Sequence, residues 1–370
     1  MTTVSRASAA PPASSTATAT TRRSRFDWRL GFAFLSVIWG LSFLLTKVGI
    51  QGFEPFQVTF GRLLFGTAVL AVALAFRREG LPRGGRTWFH LTVAAVLLNA
   101  LPFSLFAYSQ ETIPSALAAI CNATSPLWGM VLSLVALSED RPTRRKVAGL
   151  GIGFLGVLTV LGAWQGFSGI EPTGTAFALL ASLSYPIGWI YIRRNLAGSS
   201  HSNLSLTTAQ LSIATVQLAV VTPLFTTIPT SFPMVPLLSV AALGALATGL
   251  AMLVQYGLVA EVGPTTAQMV TYFTPVIATV AGVTVLGERL SWSTPVGALI
   301  IIAGAALSQS RPRTPASAPA PAPATTGGAA ADAGDTDSDD PGTGRTPGAA
   351  RPDAAPAAAC AVAAGGTRES

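Results

Sequence analysis

Charge is scarce in this sequence. Asp, Glu, Lys and Arg make up 11% of its 370 residues, against about 25% in an ordinary soluble domain. Half of the residues are hydrophobic, and the mean hydropathy is +0.53. A water-soluble globular body is excluded. Cysteine is nearly absent too: Cys121 lies inside an apolar run and Cys360 near the C-terminus, which leaves neither a disulfide framework nor metal-ligand spacing. The two histidines, His90 and His201, stand far apart near expected helix ends, so a structural zinc site and a His-based catalytic centre both lack their parts. No nucleotide-binding glycine loop or Walker-type lysine occurs, which argues against ATP-driven transport by this chain alone. The chain reads as a non-enzyme with no cofactor and no metal.

What it has instead is long apolar runs. A bilayer core of about 30 Å needs roughly 20 apolar residues in a helix. On that template, spans fall near 30–50, 56–76, 88–108, 114–137 and 146–162, and again near 173–192, 206–228, 235–258, 264–286 and 291–308. Short connections such as Gln51 to Glu54 require antiparallel neighbours. The expectation is an all-α integral membrane protein with ten transmembrane helices. Residues 1–29 are a Ser/Thr/Ala/Pro/Arg-rich tail without apolar periodicity, expected to be disordered. Arg22-Arg23 resembles a twin-arginine export signal, but the following run, Leu30 to Ile50, is longer than a signal's apolar core of about 7–15 residues. A retained first helix is the reading. Residues 311–370 form a second tail rich in Pro, Ala, Gly and Asp, whose prolines break helices. Its Asp332, Asp335, Asp337, Asp339 and Asp340 read as a solvated low-complexity stretch.

The net charge of +7 does not point to nucleic acid, because the basic residues flank the ends of apolar runs. Lys and Arg mark cytoplasmic loops. With the N-terminus inside, sixteen of them fall on one side: Arg22, Arg23, Arg25 and Arg29; Arg77, Arg78, Arg83 and Arg86; Arg141, Arg144, Arg145 and Lys146; Arg193 and Arg194; Arg311 and Arg313. Arg289 stands alone in the loops of the other. Both termini are expected in the cytoplasm and the protein in the inner (plasma) membrane, as a monomer or homodimer.

The sequence also repeats itself. SALAAICNATSPLWGMVLSLVALSED, Ser115 to Asp140, overlays PTTAQMVTYFTPVIATVAGVTVLGER, Pro264 to Arg289, with a shift of 149. Pro126 then falls on Pro275 and Glu139 on Glu288. After one deleted residue, Gly149 falls on Gly297 and Gly156 on Gly304. Two halves, 30–162 and 173–308, follow. Five helices per half is an odd number, so the second copy enters the membrane from the opposite side. Such an inverted repeat is the architecture of secondary transporters; the competing reading is a membrane scaffold or regulatory protein without transport activity.

WGLSFLLTK (Trp39 to Lys47), FGRLLFGTAVL (Phe60 to Leu70), the Ala-rich Ser115–Asp140 helix and LGERL (Leu286 to Leu290) together resemble the EamA family of the drug/metabolite transporter superfamily, over residues 30 to 308. At the first hairpin the family's Glu-Arg is replaced by Glu139-Asp140, with Arg141 one place late. The resemblance implies an inner-membrane carrier of small metabolites or drugs, commonly an exporter. It also implies that the first four helices of each half surround the pathway.

Paired helix interruptions in corresponding positions point to a transport site. Pro126 and Pro275 each free a carbonyl near mid-bilayer, which must face a cavity or a donor. Asn122, Thr124 and Ser125 stand beside the first, and Gln268, Thr271, Tyr272 and Thr274 beside the second. Alternatively, these side chains simply satisfy a kink. Arg62, some seven residues into its span, is too deep to escape to water. It either attracts a carboxylate on the cargo or pairs with Glu54 or Glu111 as a structural lock. Lys47, nearer a helix end, is expected to snorkel to the interface. Tyr108, Trp128, Trp189 and Tyr256 are aromatic-wall or packing residues. No Asp or Glu lies in the middle of any expected span, so the mechanism reads as facilitated diffusion or exchange, or as coupling through an end-located carboxylate such as Glu111.

Overall fold

A computed structural model describes residues 27–136, 144–161, 171–196 and 199–309. All regular structure among them is helical. Seven helices are long and apolar enough to cross a membrane, and three are shorter apolar helices. In chain order they are α1 (Trp28–Gly49), α2 (Pro55–Phe76), α3 (Gly85–Thr112) and α4 (Ser115–Asn122 continued by Ser125–Ala136). Next come α5 (Arg144–Val160), α6 (Pro172–Asn195), α7 (Asn203–Phe225), α8 (Met234–Gly263), α9 (Val270–Leu286) and α10 (Ser293–Gln309).

Local chemistry sets several boundaries. Asp27 caps α1 by accepting the Arg29 N–H at 3.1 Å, Glu171 caps α6 through Thr173 at 2.9 Å, and Ser202 caps α7 through Ser205 at 3.1 Å. Each satisfies an orphan N–H of a first turn. Pro55 and Pro172 open α2 and α6, where a missing N–H costs nothing. Gly287, at φ 64°, ends α9 in the left-handed region that favours glycine. Gly263, at φ 81°, separates α8 from a helical turn over 264–268 that leads into α9.

The outer surface is apolar. Phe76, Leu224, Leu238, Val283 and Leu299 are all exposed, as lipid-facing side chains are. The interior carries many small and hydroxyl residues, among them the buried Ser182, Ser109, Ala178, Ala209 and Thr248. With lipid outside, close backbone approach and interhelical hydrogen bonds take over from the hydrophobic effect. The tightest backbone approach at a described glycine joins α5 to α10. A Cβ on Gly156 would lie 2.6 Å from Ile301 N, and one on Gly304 would lie 2.4 Å from Gly153 N. The remaining contacts interleave the first and second parts of the chain. α1 packs on α8 and α9, α2 on α7 and α8, and α6 on α3 and α4.

Two helices depart from α geometry at matching places. α3 widens into a π-helical segment at Val96–Ala100, and α8 does so at Ala245–Leu250. The two segments begin 149 residues apart, the same shift that overlays the sequence repeat.

Candidate functional site

The π segments face partners in the other half of the chain. Arg62, on α2, donates its Nε N–H to Thr248 Oγ1 at 3.0 Å, inside the π segment of α8. Gln210, on α7, donates Nε2–H to Asn99 Oδ1 at 2.6 Å, inside the π segment of α3. Gln210 follows Arg62 by 148 residues and Thr248 follows Asn99 by 149. These are therefore two copies of one contact, each crossing from the second helix of one half to the third helix of the other. Between α2 and α7 themselves, Thr67 and Thr215 meet hydroxyl to hydroxyl at 2.9 Å, again 148 residues apart. π segments cluster at functional positions because the extra residue redirects backbone groups.

The copies differ in charge. Gln210 and Asn99 are neutral and buried, whereas the Arg62 guanidinium lies with its central carbon 3.7 Å from the centre of the Phe103 ring. That stacking favours the cation. The expected pairing of Arg62 with Glu54 or Glu111 does not form. Glu54 instead accepts from the Thr227 N–H and hydroxyl at 3.1 and 3.0 Å, and Glu111 is exposed at the end of α3. Tyr185, on α6, stands close enough to interact with Arg62 electrostatically, and it stacks on Phe106 with ring centroids 6.4 Å apart.

At Pro126 the helix is interrupted over Ala123–Thr124. The carbonyl that Pro126 frees belongs to Asn122, and it accepts from Ser125 Oγ at 2.8 Å. Thr124 Oγ1 and Ser182 Oγ both donate to Cys121 O, at 2.6 and 2.8 Å, and Ser182 lies 3.0 Å from the Thr124 hydroxyl and 2.9 Å from that of Ser125. The hydroxyls beside Pro126 thus serve the kink, docking α4 on α6. α9 by contrast stays helical through Pro275. There Thr274 is buried, Thr271 is half-buried, and the Tyr272 hydroxyl is sealed without a hydrogen-bond partner among the described residues. The Gln268 side chain and Glu139 lie outside what the structure describes.

Lys47 turns inward instead of snorkelling. Its ammonium donates to the carbonyls of Gln110 and, at 3.2 Å, Ile113, capping the C-terminal end of α3. The Glu288 carboxylate accepts from the Ser115 and Ala116 N–H groups at 2.7 and 3.2 Å, capping the start of α4. A cation on carbonyls and an anion on amides each complement a helix dipole, so the α3–α4 hairpin is clasped from both sides. Among the aromatic residues, Tyr108 packs edge-on to Phe56 and Phe177, and the Tyr256 hydroxyl meets Thr207. Trp189 is exposed. Gln210, Asn99 and Thr248 escape a reading of composition, although laying each half on the other at 148–149 residues places all three opposite Arg62 or its partner.

A polytopic bundle with its polar residues turned inward defines the class: a multi-pass helical membrane protein. The chain belongs to the EamA-like transporter family, whose profile matches it twice, over residues 28–162 and 172–309. An uncharacterized transporter of Archaeoglobus fulgidus is 25% identical over 75% of this chain and 96% of its own. The uncharacterized inner membrane transporter YedA of Escherichia coli K12 is 26% identical over 70% and 82%. A "probable amino-acid metabolite efflux pump" of Salmonella typhimurium is 25% identical over 72% and 90%. A crystal structure at 20% identity superposes with a TM-score of 0.55, over 77% of this chain and 97% of that one, and supports the fold.

Proposed function

We propose that this protein exports a small metabolite or drug by alternating access, as ten transmembrane helices in two inverted halves of five. The observation that carries this reading is the doubled contact, Arg62–Thr248 and Gln210–Asn99, at two π segments 149 residues apart. Two equivalent cross-half contacts allow the halves to rock against each other while exchanging which face is open. The two family matches and the efflux pump among the relatives support it. Besides Arg62, the candidate lining of the pathway is Asn122 and Pro126 on α4 and Gln268, Thr271, Tyr272, Thr274 and Pro275 toward α9; Thr124 and Ser125 join it only when α4 shifts enough to release their hydroxyls from the kink and Ser182. Glu111 is the candidate for proton coupling. The protein lies in the plasma membrane with both termini cytoplasmic, which the basic residues support.

The test is counterflow in liposomes containing the purified protein, screened with amino acids, nucleobases, organic acids and drugs. Saturable exchange of at least one solute is expected, and it should survive removal of residues 311–370. Failure to move any of them, in either direction, would favour the scaffold reading instead.

A further inference from the structure

Arg62 spends little of its hydrogen-bonding capacity inside the protein. Of the five N–H donors of a guanidinium, the Nε N–H goes to Thr248 and the others have no acceptor among the described residues. No described Asp or Glu stands near enough to act on its charge. The side chain lies deep among α2, α3, α6 and α8, yet it is half-buried rather than sealed. Tyr185 beside it is also half-buried, and its hydroxyl has no partner among the described residues. Neither group figures among the sealed, unpaired polar atoms of the interior. Both therefore keep some accessible surface deep in the bundle.

A deep cation with a free planar fork of donors is matched by a carboxylate, which accepts two parallel N–H bonds. The surrounding rings, Phe103 under the guanidinium and Phe106 stacked on Tyr185, suit an apolar body. The equivalent position in the other half offers only the neutral pair Gln210–Asn99, so of the two matching contacts one alone carries a positive charge. An ammonium group would be repelled by Arg62 and would find no carboxylate there.

Resting on the carrier reading above, we propose that the Arg62–Tyr185 site binds the single carboxylate of a small organic acid with an apolar body and selects against zwitterions and cations.

The experiment measures thermal stabilisation of the full-length protein in detergent by three probes that share a benzyl body: phenylacetate, its isosteric amide phenylacetamide, and the zwitterion phenylalanine. Phenylacetate is expected to raise the melting temperature at a concentration at least tenfold below that needed by the other two. Arg62→Gln should abolish the preference and Arg62→Lys should keep a weakened one. If Arg62→Gln fails to fold, Tyr185→Phe should raise the phenylacetate requirement at least threefold and leave phenylacetamide unchanged. Equal responses to the three probes, no response to any, or a preference intact in Arg62→Gln would overturn the proposal. So would sodium chloride alone reproducing the effect of phenylacetate. If liposomes exchange phenylacetamide or phenylalanine as readily as phenylacetate, the carboxylate site fails and the carrier stands. If phenylacetate binds with the stated preference and no solute is exchanged, the site stands and the carrier fails.

Discussion

Ser182 is wholly buried on α6, and its hydroxyl reaches the carbonyls that the break in α4 leaves open. Thr124 and Ser125 still serve those carbonyls when the Ser182 donor is removed, so the loss is one buried interhelical hydrogen bond, about 0.5–1.5 kcal/mol. Ser182→Ala should therefore lower the melting temperature by a few degrees, whereas Ser231→Ala, exposed between α7 and α8, should leave it in place. Thr248 presents a different case. Thr248→Val preserves shape but removes the acceptor of Arg62 Nε and a bond to Leu243 O, so in protein that still folds counterflow should fall at least tenfold; equal flux would separate Arg62 from the pathway. At this scale the sequence was partly legible. Arg62 stood out because a mid-span charge is expensive, and the prolines because they free carbonyls. Asn99, Gln210 and Thr248 are common residues in apolar helices, and only contacts across the chain give them a role.

Helices were the most legible level, because twenty apolar residues between polar breaks have one stable form in lipid. The expected span over 88–108 lies within Gly85–Thr112, and that over 235–258 within Met234–Gly263. The π segments inside both were not legible, since an inserted residue changes neither composition nor hydropathy. The α5–α10 seam was half visible as glycines seven apart. Gly156→Ala there forces a Cβ to within 2.6 Å of Ile301 N, against backbone that cannot step aside, and should destabilise by about 1–3 kcal/mol. Gly151→Ala, with open space around it, should be neutral in the same melt. The hairpin clasp lives at this scale too. Glu288→Ala uncaps α4 at a cost of about 0.5–2 kcal/mol, and hydrogen exchange at Ser115 and Ala116 should quicken by about tenfold, while unchanged protection would show that the carboxylate does not hold the hairpin.

For the molecule as a whole, charge placement and repetition carry the account. Cysteines at Gly80 and Thr230, both exposed in loops, should react with an impermeant maleimide from opposite faces: Gly80→Cys from the cytoplasm and Thr230→Cys from outside. The reverse pattern would invert the proposed topology. The central claim is that the doubled contact lies on a path open to each side in turn. It is tested most directly by Thr248→Cys in a background with Cys121 and Cys360 replaced by serine, reconstituted in liposomes and labelled with the same maleimide from one face at a time. Labelling from both faces, slowed by a transported solute, is the predicted result; labelling from one face only, or from neither in folded protein, would contradict it.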